Sequence, residues 1–170
     1  MNAPYSGRIL ALEQAFTHIA ATRMRDVPVQ NPALRVQAVG FAPQADDAVL
    51  LGVLLTPWFM NLVRLPLGEA DAGAHLLAVG AKTKRQVGTE QFEFIGAHEA
   101  GLGAFEACSL FSPMFEFADQ AAAVATASEV LTLLRAPVPQ MPQVSPVLKP
   151  SPAPSRRGFL LGRRQESARL

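Results

Sequence analysis

Apolar residues fall at spacings of three and four through Ile9, Leu12, Phe16 and Ile19, while Glu13, Gln14 and Arg23 lie elsewhere on the helical wheel. This period predicts an amphipathic helix over residues 8–25, ended by Asp26-Val27-Pro28. Asn31-Pro32 introduces a turn, after which Arg35 to Phe41 alternates sides with period two, the pattern of a half-buried strand. A linker from Ala42 to Asp47 follows, with Pro43 and two adjacent acids. Ala48 to Thr56 is a Leu-rich and β-branched run too short for a helix and reads as a buried strand. It is interrupted at Thr56-Pro57 and resumes as Phe59 to Leu65. Pro57 then belongs to a strand start or a turn, because proline removes a ladder donor from a central strand.

Pro66, Gly68, Gly73 and Gly80 punctuate residues 66–90, which carry no clear period; Leu76 to Val79 is a short strand candidate there. Gln91 to Ile95 alternates polar and apolar side chains, and Phe105 to Phe111 is mostly apolar around Cys108. The glycines of His98-Glu99-Ala100-Gly101-Leu102-Gly103 suit the hairpin loop between them. Asp119 is placed to N-cap a second helix ending at Arg135, with Val124, Ala127, Leu131 and Leu134 on one face. A helix, a run of strands and a second helix predict an α+β fold. Its core is a mainly antiparallel sheet with the N-terminal and C-terminal helices packed on one side of it. Seven of the 14 prolines lie between Ala136 and Ser155, so this segment is expected to be an extended, semi-rigid spacer. Fully extended at ~3.1 Å per residue, it would reach about 60 Å. The expected organisation is one domain over 1–135, a Pro-rich linker over 136–155 and a basic tail over 156–170.

A chain of 170 residues that is 49% apolar and 17% charged can bury one substantial core. Its net charge of +1 hides an asymmetry: residues 1–150 hold 10 basic and 13 acidic side chains, whereas residues 151–170 hold 5 basic and 1 acidic. In the tail, Arg156-Arg157 and Arg163-Arg164 flank an apolar Phe159-Leu160-Leu161, an arrangement unlike the continuous charge runs that bind nucleic acid. No nucleic-acid partner is expected. Cys108 is the single cysteine, which excludes an internal disulfide, a CxxC pair and a four-cysteine metal site. The N-terminus has no basic segment leading into an apolar one. No stretch approaches the ~18 apolar residues of a membrane span, and a cytoplasmic location is expected.

Candidate chemistry is sparse. His18, His75 and His98 lack the spacing that places two ligands on one face, and Gly101 and Gly103 form no phosphate-binding loop. Glu93, Glu106 and Glu116 make no paired-acid constellation, and strand alternation turns Glu93 and Glu106 to solvent. Neither an enzyme nor a resident cofactor is indicated. Two peptides carry more. Thr56-Pro57-Trp58-Phe59-Met60-Asn61-Leu62 holds the only tryptophan, and Cys108-Ser109-Leu110-Phe111-Ser112-Pro113-Met114-Phe115-Glu116-Phe117 holds three phenylalanines. Trp58, Phe59, Met60, Met114 and Phe115 supply the adaptable apolar contact area that partner recognition uses, although aromatics at these positions also build cores. The tail segment Arg156-Arg157-Gly158-Phe159-Leu160-Leu161-Gly162-Arg163-Arg164 reads like a twin-arginine export signal at the wrong terminus. Arg156, Arg157, Phe159, Leu160, Arg163 and Arg164 are accordingly expected to be offered to a binding groove, in this chain or in a partner.

Asn31-Pro32-Ala33-Leu34, Thr56 to Leu62, Cys108 to Met114 and Arg156 to Arg164, taken in that order, resemble the HybE/HupJ/HoxT family of [NiFe]-hydrogenase assembly chaperones. The resemblance implies a non-catalytic cytoplasmic protein that binds immature hydrogenase subunits and coordinates their maturation with twin-arginine export. Precursor large and small subunits, and the signal peptide of the small subunit, are the implied partners. Some members carry a rubredoxin domain, whose four ligands one cysteine cannot supply. A second reading is a thiol-dependent maturation factor, in which Cys108 holds an iron–sulfur precursor or a partner's cysteine.

Overall fold

A computed structural model describes residues 5–45, 48–68 and 76–137. The elements are α1 (Ser6–Ala21), β1 (Gln37–Pro43), β2 (Val49–Leu55), β3 (Met60–Pro66), β4 (Lys82–Val87), β5 (Glu90–Glu99), β6 (Gly103–Phe111) and α2 (Gln120–Arg135). The six strands form one sheet in the order β1-β2-β3-β6-β5-β4, and neighbouring strands pair antiparallel throughout.

The two helices lie on opposite faces of this sheet, not on one side. Leu51, Val53 and Leu55 of β2 share a core with Ala123, Ala127, Leu131 and Leu134 of α2. Leu50 and Leu54, which alternate with them, pack with Leu12, Phe16 and Ile19 of α1. The physical reason is the unbroken apolar run of β2, where all seven residues are buried. A strand that is apolar on both faces needs cover on both. Exposing Leu50 and Leu54 alone would forfeit roughly 3–6 kcal/mol, comparable with the ~5–15 kcal/mol net stability of a typical protein.

α1 stops four residues before its expected end, where the Met24 N–H turns back to Ile19 O at 2.9 Å and Asp26 adopts a positive φ of 63°. α2 begins where expected: the Asp119 carboxylate accepts from the Ala122 N–H at 2.8 Å. β4 emerges inside the stretch that had no clear period, because Lys82, Lys84 and Gln86 are exposed and Thr83 and Arg85 only half-buried. Leu76 to Val79 supplies no named strand, only an isolated bridge from Val79 to Gly96. β5 extends well past Ile95, to Glu99, and the glycine-containing turn after it joins β6.

Two glycines are required by close approach. Gly88, in the β4–β5 turn at φ 61°, backs onto the end of α2, where an added Cβ would stand 2.3 Å from Leu134 O. At Gly96 a Cβ would stand 2.2 Å from Ala78 O, so the segment before β4 can cross over β5 only because position 96 lacks a side chain.

Candidate partner-binding surface

Asn31 ties together two loops that are distant in sequence. Its backbone N–H donates to Pro57 O at 2.7 Å, in the turn between β2 and β3. Its side-chain Nδ2 donates to Met114 O at 3.0 Å and Phe117 O at 2.8 Å, in the loop between β6 and α2. Its Oδ1 accepts from the Ala33 N–H at 3.0 Å. With 7% of its surface exposed, Asn31 needs every one of these partners. Thr56 closes the β2–β3 turn: its hydroxyl accepts from the N–H groups of Trp58 (3.3 Å) and Phe59 (2.9 Å) and donates to Phe59 O at 3.1 Å. Ser112 Oγ then donates to Trp58 O at 3.4 Å, which joins the two loops directly.

This framework carries aromatic side chains. Phe115 is 57% exposed, and Trp58 and Phe59 are half-buried. Trp58 meets Phe59 edge-on at 5.5 Å, Phe59 meets Phe16 of α1 at 5.8 Å, and Phe111 meets Phe117 at 5.4 Å. These T-shaped pairs fix the rings from beneath. The β3–β6 register slips between Met60 and Asn61, so Leu110 is the extra residue of a bulge beside the loops.

A second cluster lies within the sheet, on the face that α2 covers. Arg64 of β3 stands opposite Glu106 of β6 and donates to it. Arg85 of β4 reaches the same carboxylate with Nε at 2.7 Å and Nη2 at 2.6 Å, and the Leu77 N–H donates to it at 2.8 Å. Glu106 is fully buried, which corrects the solvent-facing orientation expected from strand alternation. Burial alone would push its carboxyl up, but the hydrogen bonds from Arg85, Leu77 and Arg64 outweigh that and hold it below the usual carboxylate range. The cluster ties β3, β6, β4 and the segment before β4 together. An available signal was Arg64 itself, a charge inside the apolar run Leu62-Val63-Arg64-Leu65, since a buried charge demands a partner.

Residues 8–162 match the sequence model of the family described as [NiFe]-hydrogenase assembly, chaperone, HybE. The chain belongs to the HybE family. HoxT of Cupriavidus necator is 53% identical to this HybE-family chain over 169 residues, covering 93% of the chain and 90% of HoxT. The hydrogenase expression/formation protein HupJ of Bradyrhizobium diazoefficiens is 39% identical over 152 residues, covering 89% and 85%. The solution structure of HybE from Escherichia coli superposes with a TM-score of 0.58 over 94% of this chain and 91% of that one. At 23% identity, that likeness shows a shared fold.

Within this HybE-family fold the expected site residues separate. Trp58 and Phe59 on one Asn31-linked loop and Phe115 on the other keep exposed surface. Met60 and Met114 do not share that surface: both are fully buried in the core beneath α2, where Met60 faces the sheet interior and Met114 lies under the loop that Asn31 anchors. Cys108 is half-buried against the same core, with Sγ 3.8 Å from Ser109 O. Burial, and then the nearby Glu93 carboxylate, push its thiol up, which disfavours the thiolate that thiol chemistry requires. Arg156, Arg157, Phe159, Leu160, Arg163 and Arg164, most of the 136–155 linker and His75 lie outside the described residues. Among the described residues no group of three or more His, Cys, Asp or Glu is arranged to hold a metal, and no helix is long and apolar enough to cross a membrane.

Proposed function

We propose that this HybE-family chain is a non-catalytic cytoplasmic chaperone. It binds precursor large and small subunits of a [NiFe]-hydrogenase and coordinates their assembly with twin-arginine export of the small subunit. The observation that supports a binding role is the exposed Phe115 on one loop and the half-buried Trp58 on the other, the two loops being joined by Asn31 and Ser112 and the second closed by Thr56. An exposed phenylalanine on a rigid platform offers apolar area to a partner at little ordering cost. Phe59 supports the platform from the α1 side, and the tail supplies a second contact, cationic at Arg156, Arg157, Arg163 and Arg164 and apolar at Phe159 and Leu160.

The test is capture by tagged full-length chain from hydrogenase-producing cells, probed for both precursor subunits, with the parent, Phe115→Ala and Trp58→Ala compared. Truncating a hot-spot aromatic costs about 2 kcal/mol or more, so each variant should lose roughly thirtyfold in affinity. Folded variants of both residues that capture the precursors as the parent does would remove this surface from the function.

A further inference from the structure

The sheet has two edges, and the fold treats them differently. The β1 edge is covered by side chains from both helices. Gln120 of α2 binds both backbone groups of Arg35, accepting from its N–H at 2.9 Å and donating to its carbonyl at 3.4 Å. Glu13 of α1 accepts the Ala38 N–H at 2.7 Å, and Arg135 donates to Gly40 O at 2.6 Å. Pro43 ends that strand without a donor. These side chains and the missing Pro43 donor obstruct a further strand along this edge.

On the β4 edge the outward backbone groups have no such cover among the described residues. The Gly96 N–H donates to Ala81 O at 2.9 Å. Antiparallel ladders alternate, so Thr83, Arg85 and Val87 bond to β5, and the N–H and carbonyl groups of Lys82, Lys84 and Gln86 point away from the sheet. The side chains of these three residues are exposed as well. Lys82 makes one long ion pair, 3.8 Å to Glu93, in which both side chains remain more than half exposed. Among the described residues the edge therefore presents a row of unengaged strand donors and acceptors beneath a row that begins with two lysines.

We propose that the β4 edge docks an extended acidic segment of another protein, which adds to the sheet as a seventh strand. Main-chain hydrogen bonds to Lys82, Lys84 and Gln86 would supply affinity. The lysines would supply selection, because opposite charges on neighbouring strands stabilise a pairing and like charges oppose it. Edge lysines are also a device against indiscriminate strand pairing. On this edge they disfavour basic strands and favour an acidic one. This surface is separate from the Trp58–Phe115 loops, and its test does not depend on capture of hydrogenase precursors.

Two short peptides serve as probes, one alternating glutamate with valine and threonine and one with lysine in place of glutamate. Binding is followed by amide hydrogen exchange of the full chain. The glutamate peptide should slow exchange at Lys82, Lys84 and Gln86, and the lysine peptide should not. Lys84→Pro removes an outward donor that the β4–β5 ladder does not use, a position at which edge strands tolerate proline. It should weaken the glutamate peptide about tenfold or more. The double variant K82E/K84E leaves the backbone untouched and should reverse the preference, favouring the lysine peptide. The proposal is overturned if the glutamate peptide leaves the three amides unprotected, if Lys84→Pro binds it as tightly as the parent, or if the charge reversal leaves the preference unchanged. The lysines would then be guards of the edge and nothing more.

Discussion

Glutamine at position 106 keeps the shape of the side chain and removes its charge, so Glu106→Gln isolates what the buried carboxylate does. In the parent, Glu106 accepts from Arg64, twice from Arg85 and once from the Leu77 N–H. A glutamine offers one acceptor oxygen and turns an amide NH2 toward a guanidinium donor. Breaking a buried ion pair from one side costs about 3–5 kcal/mol. The remaining oxygen retains part of the network, so the expected loss is near the lower end, about 3 kcal/mol. For a chain of this size each kcal/mol moves Tm by roughly 2–4 °C, which predicts a fall of about 6–12 °C. A solvent-facing glutamate would instead give a change within about 0.5 kcal/mol. Urea and thermal unfolding at neutral pH, followed by the fluorescence of Trp58, separate the two; a loss under about 1 kcal/mol would refute the buried network. Acidification gives an independent check. The folded-state value of Glu106 lies below its unfolded value of about 4.3. Its stabilisation is therefore fully present above that unfolded value and is lost as pH falls through the folded one. The gap between parent and variant should stay constant from neutrality down to about pH 5 and shrink at lower pH. A gap that widened on acidification would contradict the assignment.

Asn31→Ala leaves the carbonyls of Met114 and Phe117 without their donor and should cost about 2–4 kcal/mol. The backbone bond from residue 31 to Pro57 O survives the substitution, so the loss should appear in urea unfolding, and a change under about 0.5 kcal/mol would deny that the Asn31 amide holds the β6–α2 loop. Gly88→Ala combines a positive φ with a Cβ 2.3 Å from Leu134 O. It should lower stability by at least about 1–3 kcal/mol, checked by thermal unfolding. A thiol reagent should modify Cys108 in the native protein far more slowly than in urea, given its partial burial and raised thiol. Equal rates in the two conditions would revive a working thiol.

The strands that carry the core were legible because their burial leaves a direct trace in the residues. Val49 to Leu55 is apolar at every position, and every position is buried. The same run also held the information that both faces need cover, and hence that α1 and α2 lie on opposite sides; the number of strands between the helices does not determine that. β4 left almost no trace. Its inward positions are Thr83, Arg85 and Val87, and Arg85 is directed to a carboxylate two strands away, so the apolar half of the period-two pattern is nearly empty. Glu106 was misplaced for the same reason. Alternation assigns polar residues to solvent, and it fails where one buried charge is answered by another from a strand that sequence does not make adjacent.

The candidate surface was legible as peptides and illegible as a surface. Asn31-Pro32, Thr56 to Leu62 and Cys108 to Met114 can each be singled out locally, but Asn-Pro alone suggests only a turn. The role of Asn31 rests on carbonyls 83 and 86 residues further along the chain, and no local pattern encodes those partners. The division among the hydrophobic residues has the same origin. Met60 and Phe59 are neighbours, as are Met114 and Phe115, and composition treats each pair as one apolar patch. Met60 and Met114 are fully buried, whereas Phe59 keeps partial exposure and Phe115 is 57% exposed. Which member of each pair faces outward is set by the closed Thr56 turn and by the Asn31 amide. Which hydrophobic residues are left exposed on these loops is therefore decided by two polar side chains that are themselves buried.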